Sequence, residues 1–253
     1  MKKYTILSVV ALACFTLTGA EMSGTRYAGF TTNAVPVGFS IVAVPFSGFD
    51  TNSFSPASLS LEALISTNGL TIGDRLVAFD ESATNYLYYA LTATGWDPLD
   101  VTEVGPDSTN HVVNAPALST ITRAQGYAFW LKTTNASTVY LQGIVNTNNE
   151  AGVAIAANKF TLVGNALPTE LVLNTTSFTN ANPWFTPGPP GFGDEIHVVN
   201  GSNYVKNVFY AGRWKLVEQP LGSTVFTNDS ANIPAGSGMW YLRIGDSKNL
   251  ILK

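Results

Sequence analysis

Cysteine is almost absent. The 253-residue chain contains one, Cys14, so an intramolecular disulfide framework and thiolate metal cages are excluded, and a folded state has to rest on core burial. Charge is equally scarce: Asp, Glu, Lys and Arg supply 12% of the residues, against the ~25% usual in soluble domains. The net charge of -4 leaves no basic surplus to neutralise phosphates, so neither nucleic acid nor an anionic membrane surface is an expected partner. Histidine occurs twice, at His111 and His197. Neither stands in an HExxH-type spacing and no serine elbow accompanies them, so zinc and serine-hydrolase chemistry lack their side chains. No cofactor and no metal site is expected. The N-terminal apolar stretch, Tyr4 to Leu17, falls short of the ~20 residues that a membrane-spanning helix needs.

What the chain has is 45% hydrophobic and 11% aromatic residues, enough apolar surface to offset the entropy of ordering. Thr, Asn, Ser and Gly take the place of charge, as in β-proteins with many turns. Lys2 and Lys3, the apolar stretch and the small residues Thr18, Gly19 and Ala20 read as a secretory signal peptide cleaved before Glu21. Cleavage would remove the only cysteine and leave no membrane span. Lipid attachment at Cys14 fits less well, because Ala11 stands where Leu is usual and the apolar stretch continues past the cut. The expected location is outside the cytoplasm: secreted, extracellular or on the cell surface, with the periplasm as alternative.

Self-comparison shows a repeat at an offset of about 120 residues. Phe39-Ser40-Ile41-Val42 matches Phe160-Thr161-Leu162-Val163, and Gly73-Asp74 matches Gly193-Asp194. Tyr86 and Tyr204 are each followed ten positions later by a tryptophan, Trp96 and Trp214. Ile121 and Gly126 pair with Ile233 and Gly238, ahead of the Trp130 and Trp240 runs. Each copy reads as a three-stranded meander: Leu76 to Phe79 (Ile196 to Val199), Tyr86 to Thr92 (Tyr204 to Tyr210), then a turn at Gly95 (Gly212) into a strand opened by the tryptophan. The run around Phe129-Trp130-Leu131 adds a buried strand. Helical periodicity is confined to Ser60 to Ser66. Val139 to Ile144 resembles both chain ends, which predicts one strand that closes the first copy and opens the next, with Asn146 to Glu150 as a polar turn. The expected fold is all-β: two tandem homologous β-sandwich-like or barrel-like domains packed against each other. Their bounds are residues 21–142 and 143–253, after a signal peptide at 1–20.

The succession Phe39-x-Ile41-Val42-x-x-Pro45-Phe46, Gly73-Asp74, Tyr86, Gly95-Trp96 and Gly126-x-x-Phe129-Trp130-Leu131 resembles a group of secreted, internally duplicated, β-rich bacterial proteins. The resemblance implies fold and export. It carries over no catalytic or binding residue, and the second copy departs from it at Asn165-Ala166-Leu167, where the first has Val44-Pro45-Phe46.

Candidate chemistry is thin. His197 aligns with Val77 on a strand and reads as a satisfied strand histidine rather than a general base. Asp97, Asp100, Glu103 and Asp107 form the one acidic cluster. Solvated loop charges explain it best, since the repeated spacing of a calcium loop is missing and glycosidase work needs two carboxylates held roughly 5 to 9.5 Å apart. The recurring Gly-Asp pairs read as turn chemistry, and the recurring tryptophans Trp96, Trp130, Trp214 and Trp240 as core. Trp184 and Phe185 differ. They sit in a Pro/Gly-rich insertion, Asn182 to Phe192, which would either present them to a glycan or protein partner or fold them back over the core. No catalytic residue is assigned. The leading expectation is a secreted, non-enzymatic β-protein with a structural, adhesion or interaction role, free to self-associate through edge strands near Tyr27 and Leu250. A carbohydrate-binding module is the alternative, and a glycan-active hydrolase the third reading.

Overall fold

A computed structural model describes residues 28–50, 55–80, 85–99, 115–144, 151–200, 203–218, 224–227 and 230–252. The expected signal peptide, Asp100, Glu103, Asp107, His111 and the turn from Asn146 to Glu150 lie outside the described residues.

The first half of the chain forms β1 (Ala28–Val35), β2 (Gly38–Ala43), β3 (Gly48–Asp50), β4 (Ser55–Ala57), β5 (Leu59–Ser60), β6 (Ile65–Ser66), β7 (Arg75–Asp80), β8 (Asn85–Leu91), β9 (Trp96–Pro98), β10 (Thr122–Arg123), β11 (Ala128–Thr133) and β12 (Ser137–Ile144). The second half forms β13 (Ala151–Ile155), β14 (Phe160–Gly164), β15 (Glu195–Asn200), β16 (Asn203–Tyr210), β17 (Arg213–Glu218), β18 (Val225–Thr227), β19 (Gly238–Leu242) and β20 (Lys248–Leu252). Among the described residues helix is limited to α1 (Leu61–Leu64), α2 (Thr176–Ala181) and a 3-10 turn at Leu118–Thr120. Ser60 caps α1, its hydroxyl accepting from Ala63 N at 3.1 Å. α2 was not foreseen. It is tied down by buried Asn182, whose amide donates to Phe178 O and Ile251 O and accepts from Ile251 N.

The fold is all-β and antiparallel, and among the described residues no sheet closes into a barrel, so the barrel-like alternative is not realised. The two large sheets are strung in the same order: β2-β11-β7-β8-β9 in one, and β14-β19-β15-β16-β17, extended by β18, in the other. Each is backed by a small sheet, β1-β12-β6 or β13-β20. The single closing and opening strand is also corrected. Among the described residues β12 pairs only with first-half strands, β1 and β6, while a separate strand, β13, pairs with β20.

The layering explains the residue pattern. Leu76, Ala78, Phe129 and Leu131 face the small β1-β12-β6 sheet and meet Val35, Val139 and Leu141. Ile196, Val198, Met239 and Tyr241 meet Val153, Ile155, Leu250 and Leu252 in the same way. The opposite faces of the large sheets meet each other through Ile41, Val77, Phe79 and Trp130 on one side and Leu162 and Trp240 on the other. A strand such as β7 is buried on both faces, which is why it reads Leu-Val-Ala-Phe instead of alternating apolar with polar. The contacts between the large sheets are reciprocal. Tyr86 lies 6.3 Å from Trp240 and Tyr204 lies 6.4 Å from Trp130, both edge-on. Ala43 N donates to Gly236 O at 2.9 Å, and Gly164 N to Gly126 O at 2.7 Å. At Gly164 a Cβ would strike Tyr127 O and stand 2.6 Å from Ala43 Cα, so only glycine lets the backbones approach this closely.

Candidate functional site

The recurring Gly-Asp corners are turns, and their carboxylates are fully buried. Asp74 accepts from Thr71 N at 2.8 Å, Thr134 N at 2.8 Å and the Thr134 hydroxyl at 2.9 Å. Asp194 accepts from Thr186 N at 3.2 Å, Ile244 N at 2.9 Å and the Tyr241 hydroxyl at 2.7 Å. Arg243, itself buried, completes that set with Nη1 at 2.9 and 2.8 Å from the two carboxylate oxygens. Each aspartate thus staples the turn before a strand to the end of the neighbouring strand. Burial, with the adjacent Asp194 charge, pushes the Tyr241 phenol well above its ordinary range, so it stays a donor.

A second cluster was not foreseen from sequence. Glu195 and His197, two apart on β15, share a face, and Lys206 lies directly opposite His197 on β16. His197 Nε2 is 2.7 Å and Lys206 Nζ 3.1 Å from Glu195 Oε2, and Gly191 N donates to Oε1 at 2.6 Å. Burial alone would raise the Glu195 pKa. The hydrogen bonds from His197, Gly191 and Lys206 and the Lys206 charge outweigh it and hold the carboxyl at about 2. A carboxylate so engaged is a poor base, and His197 is the satisfied strand histidine that its alignment with Val77 suggested.

Trp184 and Phe185 are brought together, 5.2 Å apart, but not on an open platform. Phe185 is buried in the second core against Phe178, Phe209 and Trp214. Trp184 is half-buried, with the Arg243 guanidinium 5.0 Å over its ring. The loop is pinched where Gly188 and Gly193 touch: a Cβ on Gly188 would sit 2.6 Å from Gly193 N. The aromatic this loop leaves outside is Phe192, 74% exposed. Trp96, Trp130, Trp214 and Trp240 are all buried. Of the acidic cluster, Asp97 is described, and it accepts from the Thr92 hydroxyl at 3.0 Å across its hairpin.

Sequence reasoning also missed a cleft. About 480 Å³ in volume, it opens between strands β1 and β2 on one side and Val198, Val199 and the turn from Pro234 to Gly238 on the other. Among the described residues no group of three or more His, Cys, Asp and Glu side chains is placed to hold a metal, and no helix is long and apolar enough to cross a membrane. No protein-family model matches the chain, and no curated protein or solved structure matches it.

Proposed function

We propose that the chain is a secreted or cell-surface, non-enzymatic protein built from two tandem, homologous β-sandwich domains, residues 21–142 and 143–253, with a structural, adhesion or interaction role. The observation that carries this reading is how the buried charges are engaged. Asp74, Asp194, Glu195 and Arg243 are each held by backbone or side-chain partners that staple strands together, which leaves them no part in acid-base work. The matching strand orders and reciprocal contacts support a duplication, and the export signal supports the location. The resemblance to secreted, duplicated β-rich bacterial proteins agrees with both.

A glycan array combined with a hydrolase panel, run on the purified protein, tests the reading. Recovery from the cell surface or medium with no turnover is expected, and turnover of any glycosidic substrate overturns it. The second reading, a carbohydrate-binding module, is favoured by the exposed ring of Phe192 in the same loop as Trp184 and Phe185. Array binding that disappears in Trp184→Ala would establish it in place of the first. Edge strand β1 belongs to the same proposal as a site of self-association, whereas on β20 the outward N–H and C=O of Ile251 are already taken by Asn182. A mass by light scattering that stays monomeric across a wide concentration range contradicts that part.

A further inference from the structure

The reciprocal interface is broken at one pair of positions. Tyr127 and Ser237 hold the same place in their sheets: Val44 N donates to Tyr127 O, and Asn165 N donates to Ser237 O. Each also bridges to the edge strand of the other half, Tyr127 to Val163 and Ser237 to Val42. Their side chains behave differently. The Tyr127 ring packs against the second core, and its hydroxyl donates to Ala154 O at 3.3 Å, plugging the side of the second half where β13 and β14 present their edges. Among the described residues Ser237 reaches nothing comparable. Its hydroxyl folds back onto Pro234 O at 2.8 Å, and on this side only the Asn33 amide spans from β1 to the facing turn, donating to Gly236 O at 3.0 Å; beside it, where β1 and β2 present their edges, lies the cleft of about 480 Å³.

The twin site shows which chemistry the cleft fits. Ala154 precedes the last buried residue of β13, Ile155, as Ala34 precedes the last buried residue of β1, Val35. Ala34 lines the cleft, in the place of the carbonyl that accepts the Tyr127 phenol in the second half. Pro36, Phe39, Val199 and Pro234 offer apolar walls, Thr32, Asn33 and Ser40 add neutral polar groups, and no charged residue among the described ones lines the cleft, which favours a neutral ring over an ion. The cleft is continuous with the interface at Val42, Gly236 and Ser237, so its occupant would sit where the Tyr127 side chain sits on the other side.

We propose that this cleft is a binding site for a neutral phenolic ring, taken up as the Tyr127 side chain is taken up by the second half. The occupant is either a free phenol or a tyrosine side chain of another polypeptide, and the site goes beyond the structural role proposed above.

The test is calorimetric titration of the purified full-length protein with p-cresol, with toluene and with the blocked tripeptide acetyl-Gly-Tyr-Gly-amide. One p-cresol per chain is expected, and toluene should bind about three- to tenfold more weakly, because it cannot donate to a carbonyl. Ser237→Tyr, which places the internal plug in the cleft, should abolish binding. Tyr127→Ser, which opens the twin, should raise the stoichiometry to two, so the proposal stays testable if Ser237→Tyr fails to fold. Tighter binding of the tripeptide assigns the site to a tyrosine side chain, and tighter binding of p-cresol assigns it to a free phenol. Absence of saturable binding to both overturns the proposal. So does equal affinity for toluene, undiminished binding by Ser237→Tyr, or a stoichiometry of one in Tyr127→Ser.

Discussion

The two Gly-Asp corners occupy the same place in their sheets and are satisfied by different chemistry. Asp74 is held by neutral donors alone, two backbone amides and the Thr134 hydroxyl. Asp194 adds the Tyr241 phenol and the Arg243 guanidinium, which also lies over Trp184 and so couples the corner to the Pro/Gly-rich loop. The position requires a buried acceptor that ties two strands. It does not require an ion pair. Agreement between the halves therefore marks what the frame requires, and the matching positions that differ mark what it does not: Arg75 against Glu195, Val77 against His197, Tyr127 against Ser237.

The largest difference between the halves should appear at these aspartates. Asp194→Ala strands a buried arginine charge and is expected to cost about 3–5 kcal/mol, whereas Asp74→Ala leaves unsatisfied amides and is expected to cost about 1–3 kcal/mol. Urea unfolding of both variants measures the gap, and equal losses would erase the distinction between ionic and neutral corners.

Acid should separate the halves next. The folded-state pKa of Glu195 is depressed from 4.5 to about 2, so its contribution is fully present above pH 4.5 and is lost as pH falls from there through about 2. Arg75 holds this place in the first half. Glu195→Gln should flatten the acid limb of a stability-versus-pH curve, and an unchanged limb would remove Glu195 from the account. A smaller effect is expected where the halves agree. Among the described residues the buried indole N–H groups of Trp96 and Trp214 meet no hydrogen-bond partner, so replacement by Phe relieves an unsatisfied donor while it opens a small cavity. Trp96→Phe and Trp214→Phe should each cost under about 2 kcal/mol in chemical denaturation. A much larger loss at one of them would show that the two cores are not packed alike.

Much of the frame was legible because it rests on side chains that identify themselves. Trp96 pairs across its hairpin with Leu91, as Trp214 does with Phe209, and ten-residue spacing from a tyrosine was enough to find both. Glycine identifies itself less well. The sequence match set Gly126 against Gly238, but Gly126 N donates to Val44 O and Gly236 N to Asn165 O, so Gly236 holds that place. The turn after Ile233 is shorter than the one after Ile121, and only backbone pairing reveals it. For the Pro/Gly-rich loop, composition left presentation and folding back over the core both open, and the glycine crossing and Arg243 decide between them by turning Phe185 and most of Trp184 inward. Glu195, His197 and Lys206 were hidden for another reason. Their meeting depends on the cross-strand register of β15 and β16, which a reading of one strand at a time does not set. The cleft is the absence of a plug, and it becomes visible only when Ser237 is compared with Tyr127 in place.

The central claim is that the two halves are locked together by reciprocal contacts, with Tyr86 on Trp240, Tyr204 on Trp130 and backbone hydrogen bonds on both sides of the interface. Backbone nitrogen-15 relaxation of the intact protein tests it most directly. One rotational correlation time shared by residues of both large sheets is the predicted result, and separate correlation times for the two halves would contradict it.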